Sequence, residues 1–395
     1  MTLEPDDDEQ RNRHDTITMA DSSTVSADEN QYFSSNPPPK QLKNHLALAK
    51  AFIERHSEEH RRVVLVTSGG TTVPLENQTV RYIDNFSAGT RGACSAEYFL
   101  DAGYAVIFLH RQFSLLPYSR HYSHNTRSFL DYMVEDASTG EIKVDNEHQD
   151  EMVGVLRKHM KAKRENTLLI LSFVTITEYL WELREVAKLM QPLGSDALFY
   201  LAAAVSDFFV PADRMVEHKI QSSEEFASHN AGGKGANGNA KPPAARTEGK
   251  SLIIDLEPVP KFLKALVDGW APQAMIVSFK LETDPNILVD KAQYALRKYQ
   301  HHLVIGNLLN TRKWEVVFVS VEEGTKWIKV PRGRRTRSQS GIEALVGKAG
   351  GEVEEDKLDA HQYVGEPPVE IESLIIPSIK ELHDKIIENH RNGSK

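Results

Sequence analysis

Three polar or glycine-rich segments of this 395-residue chain carry residue types able to hold a ligand. The first is Thr67-Ser68-Gly69-Gly70-Thr71-Thr72. Its glycines let backbone approach a ligand, and its N–H groups and hydroxyls can cradle phosphate, although an ordinary strand-to-helix turn uses the same residues. The second runs from Arg81 through Ile83-Asp84-Asn85-Phe86-Ser87-Ala88-Gly89-Thr90-Arg91 to Gly92. Polar residues and two glycines opening a helix make an anion site, because the first turn offers N–H groups and the positive end of the dipole. The third is Ala202-Ala203-Ala204-Val205-Ser206-Asp207-Phe208. Its small residues leave room for a ligand, and Asp207 either contributes a carboxylate or caps the next turn. Lys219, in Glu217-His218-Lys219-Ile220, is ambiguous by itself, as is Arg81.

Several familiar chemistries lack their patterns. Neither Gly-x-Gly-x-x-Gly nor Gly-x-x-x-x-Gly-Lys-Ser/Thr occurs at the glycine turns, so a dehydrogenase fingerprint and a phosphate-loop NTPase are not supported. There is no Gly-x-Ser-x-Gly elbow. His110, His121 and His124 do not form a metal-ligand spacing. Cys94 lies inside a helical pattern, where a small inert residue is expected. Gly232–Gly238 superficially resembles a phosphate loop, but no strand precedes it.

The elements that must position these segments follow from periodicity. Val63–Thr67 is a short β-branched run that stops at glycine, the pattern of a buried strand. Further strands are expected at Ala105–Leu109, Thr167–Phe173, Asp196–Ala203, Ala274–Phe279, His302–Ile305 and Glu315–Val321. Helical patterns occupy Leu42 to about His60, Ser87–Gly103, Asp150–Ala162, Thr177–Met190, Pro260–Asp268 and Pro285–Gln300, with a last helix at Ile379–Asn389. Apolar strands interleaved with amphipathic helices predict an α/β fold. It is a Rossmann-like, doubly wound three-layer αβα sandwich around a mostly parallel sheet, whose ligands bind beyond the carboxyl ends of the strands.

Composition sets the outer limits. Hydrophobic residues make up 40% and charged residues 26% of the chain, an ordinary globular balance. The net charge of −9 argues against a generic nucleic-acid binder. The longest nearly apolar stretch, Leu168–Ile176, is about half of what a bilayer needs, and the acidic N-terminus has no secretory pattern. A single cysteine excludes an internal disulfide and suits a reducing compartment. Residues 1–40 hold nine acidic, three basic and nine apolar residues, which predicts a disordered acidic segment ahead of one domain at 41–395. Glycine-rich residues 222–250, and residues 331–368 with their Arg332–Arg337 cluster, read as flexible insertions. The arginine cluster is also a candidate anion patch or nuclear-import signal.

At these same residues the sequence resembles the phosphopantothenate–cysteine ligases, in their eukaryotic stand-alone form. The matching strings are Val66–Thr71 with Val73-Pro74-Leu75-Glu76, Val80–Gly92, Ala102-Gly103-Tyr104, Phe199–Asp207 and Glu217–Ser222. They continue with Trp270-Ala271-Pro272, Ser278–Pro285 and Asn307. The likeness covers about Leu42–Val330 plus the C-terminal helix, and carries nothing to the acidic N-terminus or the insertions. It implies an enzyme of coenzyme A biosynthesis that joins 4′-phosphopantothenate to L-cysteine through an acyl-nucleotidylate. ATP is the expected cosubstrate, CTP the alternative, with Mg²⁺ held by phosphate oxygens and water and no protein metal cage. Gly69, Ser87, Gly89, Gly92, Phe279 and Asn307 should contact the nucleotide, and Asn85, Ala203, Ala204 and Asp207 the phosphopantothenate. Asn85 and Lys219 are the implied catalytic residues, with Lys219 near the nucleotide phosphates. Arg81 should reach the phosphate of substrate in the neighbouring subunit, implying a homodimer. A cytoplasmic place follows, with other enzymes of the pathway as further partner candidates. A nicotinamide oxidoreductase or a catalytically silent nucleotide sensor on the same fold are the alternatives. The first lacks its glycine fingerprint, and Asn85, Lys219 and Asp207 argue against the second.

Overall fold

Val63–Ser68 (β1) is six residues long and buried along its whole length, as a β-branched run covered on both faces must be. In the computed structural model it lies between Ala105–Arg111 (β4) and Ala197–Leu201 (β6), parallel to both, and β4 pairs in parallel with Leu168–Phe173 (β5). The structure describes residues 27–123, 128–221, 243–248, 251–331 and 365–393. They divide into two compact units, 1–276 with 383–395, and 277–382, where the sequence pattern suggested one domain. The boundary falls inside the strand Met275–Glu282, so no composition shift marks it.

In the first unit, alternation along the strands builds two separate layers. Val63, Leu65, Ile107, Leu109 and Phe199 share one core with Phe52 and Ile53 of Leu42–Glu58 (α1) and Leu180, Leu183 and Val186 of Ile176–Met190 (α4). Val64, Val66, Val106, Phe108, Leu198 and Tyr200 are equally buried but point to the opposite face. There Thr90–Asp101 (α2) sets Phe99 edge-on to Tyr200, ring centroids 5.3 Å apart, and the Ser95 hydroxyl donates to the Tyr200 hydroxyl at 2.8 Å. Helices therefore cover both faces, as the doubly wound pattern required. Between β4 and β5, Gln149–Glu165 (α3) buries only Ala162. A short hairpin, Thr72–Pro74 (β2) with Tyr82–Asp84 (β3), projects beyond the end of β1.

The second unit repeats the logic on a smaller scale. Met275–Glu282 (β7) pairs in parallel with Leu303–Leu308 (β8), the two connected through Leu288–Tyr299 (α5). Glu315–Ser320 (β9) and Gly324–Lys329 (β10) then add antiparallel strands. β10 was not anticipated, because its alternating Thr325, Lys326 and Trp327 bury little apolar surface. Leu288, Ala292 and Leu296 pack on Val304, Val317 and Val319. The chain ends in Glu372–Gly393 (α6), whose His383 in the first unit bridges the Tyr104 hydroxyl at 2.9 Å and the Ser195 carbonyl at 2.7 Å.

Two expectations about order change. Residues 27–35, inside the segment expected to be disordered, form a helix whose Tyr32 and Phe33 are 3% and 7% exposed. Average composition hid this, because the two aromatics are adjacent. They enter a cluster with Trp181, Phe209, Phe262 and Trp270 that compensates the ordering entropy. Within the supposed insertion at 222–250, Ala244 and Ala245 are buried, and Ala245–Glu248 pairs with Ser251–Ile254. The remainder of both insertions, 222–242, 249–250 and 332–364, lies outside the described residues, as do 1–26.

Candidate functional site

The three segments singled out by composition meet at the carboxyl edge of the first unit's sheet. Beyond β1, Thr71 N–H donates to the Ala204 carbonyl at 3.0 Å, and Ala204 N–H donates to the Gly69 carbonyl at 2.8 Å. Asn85 N–H donates to the Thr71 carbonyl at 3.1 Å, so the β1 turn lies between the other two segments. Two threonine hydroxyls lock this arrangement: Thr67 Oγ1 accepts from Ala203 N–H at 3.2 Å and Thr71 Oγ1 from Ser206 N–H at 2.9 Å. Gly70 is required by space, since a Cβ there would stand 1.6 Å from the Asn85 carbonyl oxygen. Asn85 thus sits half-buried, its backbone held to the Thr71 carbonyl.

Gly89 has φ +83° and is the N-cap of α2, which begins at Thr90 rather than at Ser87. Ser87 stands outside the helix and its hydroxyl accepts from Gly89 N–H at 3.3 Å. The Ser68 hydroxyl donates to the Gly89 carbonyl at 3.0 Å, and a Cβ on Gly92 would meet the Ser68 side chain at 2.5 Å. The positive end of the α2 dipole is therefore pressed against the β1 turn. Gly69, also at positive φ (+82°), lies against Arg111 and Ser114. Asp207 is exposed at the end of the third segment, and its carbonyl accepts from Val259 N–H at 2.9 Å.

Arg81 and the backbone next to Lys219 are joined by Glu76, a residue to which the sequence pattern assigned no role. Glu76, fully buried in the β2–β3 loop, accepts from Val80 N–H at 3.1 Å and Arg81 N–H at 2.8 Å on Oε2. Its Oε1 accepts from the Arg81 guanidinium at 3.1 Å and from Ile220 N–H at 3.3 Å. Burial alone would raise the Glu76 carboxyl, but these N–H donors and the guanidinium outweigh it and hold it below its ordinary range. The same Arg81 nitrogen also donates to the Ile220 carbonyl at 3.1 Å, placing it against residues of its own chain. Lys219 is exposed beside Ile220.

The sequence also missed the wall formed by residues 110–115. Ser114 lies close to both Gly69 and Gly89, His110 Nδ1 is 3.3 Å from its hydroxyl, and Arg111 pairs with Asp84 at 2.6 Å. Burial lowers the His110 imidazole, which keeps it neutral near pH 7. Only the spacing from the end of β4 could have signalled this wall, and loop length there is not read by periodicity.

The two remaining expected residues belong to the second unit. Phe279, half-buried in β7, is opposite Ile305, and Asn307, 6% exposed in β8, is opposite Leu281. The register puts Phe279 and Asn307 on the same face of this strand pair, with Asn307 nearer the carboxyl end. Among the described residues no three His, Cys, Asp or Glu side chains are grouped so as to hold a metal ion.

A parallel α/β sheet with glycine turns packed against a helix N-terminus at its carboxyl edge defines a class. Residues 59–143 match the family described as DNA/pantothenate metabolism flavoprotein C-terminal domain. Across more of its length the chain is 48% identical to phosphopantothenate–cysteine ligase CAB2 of Saccharomyces cerevisiae, covering 85% of this chain and 87% of that protein. It is 43% identical to the human phosphopantothenate–cysteine ligase, over 70% of this chain and 81% of the human one. A solved structure of a Cab2 mutant in complex with phosphopantothenate-cysteine superposes with a TM-score of 0.72 at 43% identity, covering 91% of this chain and 99% of that one. The chain belongs to the phosphopantothenate–cysteine ligase family.

Proposed function

We propose that this chain joins 4′-phosphopantothenate to L-cysteine in coenzyme A biosynthesis, using ATP. The observation that supports this reading best is the convergence of Gly69–Thr71, Asn85–Gly92 and Ala203–Asp207 on one sheet edge, hydrogen-bonded to one another. A free carboxylate is a poor acyl donor. In the first step its oxygen attacks the nucleotide α-phosphorus, the bond to the β-phosphate oxygen breaks, and pyrophosphate leaves. In the second, the cysteine amine attacks the acyl carbon, loses a proton, and expels AMP as the amide forms. Both steps gather negative charge, which the α2 N-terminus and the loop N–H groups can offset.

In this reading Gly69, Ser87, Gly89 and Gly92 serve the nucleotide, and Phe279 and Asn307 are nucleotide contacts carried by the second unit. Ala203, Ala204 and Asp207 hold phosphopantothenate. The Asn85 amide donates to the oxyanion formed when cysteine attacks, and the Lys219 ammonium offsets charge on the phosphates. Mg²⁺ enters with the nucleotide, its hard oxygen ligands supplied by phosphate and water. Val80, Tyr82, Phe86 and Phe208 are 58%, 53%, 88% and 49% exposed beside Arg81, Asn85 and Asp207, an apolar surface suited to a second copy of the chain. Arg81 would then serve substrate bound to that copy. The deciding experiment incubates protein, phosphopantothenate, cysteine, Mg²⁺ and either ATP or CTP, then identifies the nucleotide product. Monophosphate and pyrophosphate in equal amounts with the amide are expected; diphosphate and orthophosphate would falsify the acyl-nucleotidylate route.

A further inference from the structure

We propose that Glu76 is the positioning residue that sets Arg81 and the Lys219 segment in register with one another. This rests on the substrate-binding reading of Arg81 and Lys219 above. The β2–β3 loop and residues 216–221 are separated by well over a hundred positions in sequence, and a deliberate set of contacts joins them. Asn77 N–H donates to the Val216 carbonyl at 2.9 Å and Gln78 N–H to the Glu217 carbonyl at 3.1 Å. Outside this backbone ladder, the Glu217 carboxylate receives the side-chain amides of Asn77 at 3.0 Å and Gln78 at 3.3 Å. On the inside, Glu76 collects two loop N–H groups, the Arg81 guanidinium and Ile220 N–H on its two oxygens.

The outer carboxylate is exposed and replaceable by water. The inner one is not. A fully buried carboxylate whose oxygens face only donors must stay ionised, and it orients every donor that it receives. One of those donors is the Arg81 side chain itself; another is the amide directly after Lys219. Glu76 touches no reacting atom, so it acts through these two residues. A glutamine in its place would turn an NH₂ group toward two of the four donors, leaving them unsatisfied and the two cations free to drift apart.

The test compares Glu76→Gln, Glu76→Asp and Glu217→Gln with Arg81→Ala and Lys219→Gln in the full-length protein. Pyrophosphate release is measured as a function of phosphopantothenate, ATP and cysteine. Glu76→Gln should raise KM for phosphopantothenate by about tenfold or more, the scale expected on losing a charge-assisted hydrogen bond. It should also slow the first-turnover release of pyrophosphate, while KM for cysteine stays unchanged. Glu76→Asp, which keeps the charge, should recover part of both, and Glu217→Gln should have a small effect. A merely structural glutamate would lower the active fraction without moving one KM. If Glu76→Gln does not fold, the comparison of Glu76→Asp with wild type carries the same test. Wild-type KM values in a folded Glu76 variant, with Arg81→Ala and Lys219→Gln both defective, would overturn the positioning role alone. Wild-type behaviour of Arg81→Ala and Lys219→Gln would overturn the substrate-binding reading and this role with it.

Discussion

At the scale of single residues the two halves of the reaction should separate. Asn85 is anchored by its backbone to Thr71, and Gly70 packs against its carbonyl, so its amide can be changed without moving the loop. Asn85→Asp keeps the shape but puts negative charge where negative charge must develop. Losing one such donor costs ~10²–10³ in rate. Acyl-nucleotidylate should therefore accumulate in quenched reactions of Asn85→Asp analysed by mass spectrometry. Lys219→Gln should show no accumulation, because it impairs the first step. Equal accumulation in both variants would refute the division of roles.

At the scale of elements, the helix at residues 27–35 should matter more than its acidic surroundings suggest. Phe33 sits under the Arg184 guanidinium at 4.2 Å and edge-on to Trp181 at 4.7 Å, while Tyr32 packs on Phe209 at 5.0 Å. Phe209 is paired with Glu257 in the short ladder that follows Asp207. Phe33→Ala should cost about 3 kcal/mol, the usual penalty for truncating a buried aromatic, seen as a lower urea midpoint with the slope retained. Tyr32→Phe removes only a hydroxyl that lies 3.2 Å from Thr177 Oγ1, and should cost about 1 kcal/mol. Comparable effects of the two substitutions would mean that the aromatic cluster is not what holds this helix.

At the scale of the whole molecule, the proposed dimer makes a sharp demand. If Arg81 works on substrate in a second subunit, each active site needs Asn85 from one copy and Arg81 from the other. Inactive Arg81→Ala and Asn85→Asp proteins, dissociated and reassociated as a one-to-one mixture, should then regain about a quarter of wild-type activity, since half the dimers carry one intact site. No recovery, with mixed dimers verified by mass, would place Arg81 in the same subunit as its substrate.

Stability of the molecule should also fall in mild acid. His301 is 2% exposed, with Nε2 2.7 Å from the Ser278 hydroxyl. Burial, helped by the neighbouring His302, drives its pKa down to about 4 from 6.5. The folded-state value is depressed, so the unfolded chain binds the extra proton first as pH falls. The neutral ring's contribution is complete above about pH 6.5, declines as pH falls toward 4, and changes no further below. Over that window it amounts to roughly 3 kcal/mol. Urea unfolding across this range should show the loss, and His301→Asn should flatten it; an unchanged pH slope in that variant would assign the acid sensitivity elsewhere.

Local chemistry was enough to place most of the fold and the edges of the site. Val63–Thr67, Ala105–Leu109 and Thr167–Phe173 are largely β-branched or apolar runs, and all three became parallel strands, because burial on both faces leaves few other solutions. Glycine at 69 and 89 pointed to close approach of the backbone, and the structure adds that both have positive φ. What depends on residues far apart in the chain was not legible. Nothing near Glu76 says that Ile220 will come to it, and nothing in residues 27–35 says that Trp181, Phe209 and Phe262 will cover two adjacent aromatics. Periodicity reports which face of an element is apolar. It does not report which distant element covers that face, and for a buried carboxylate or an edge aromatic that partner determines whether the residue is a solvated surface group or part of the framework of the site.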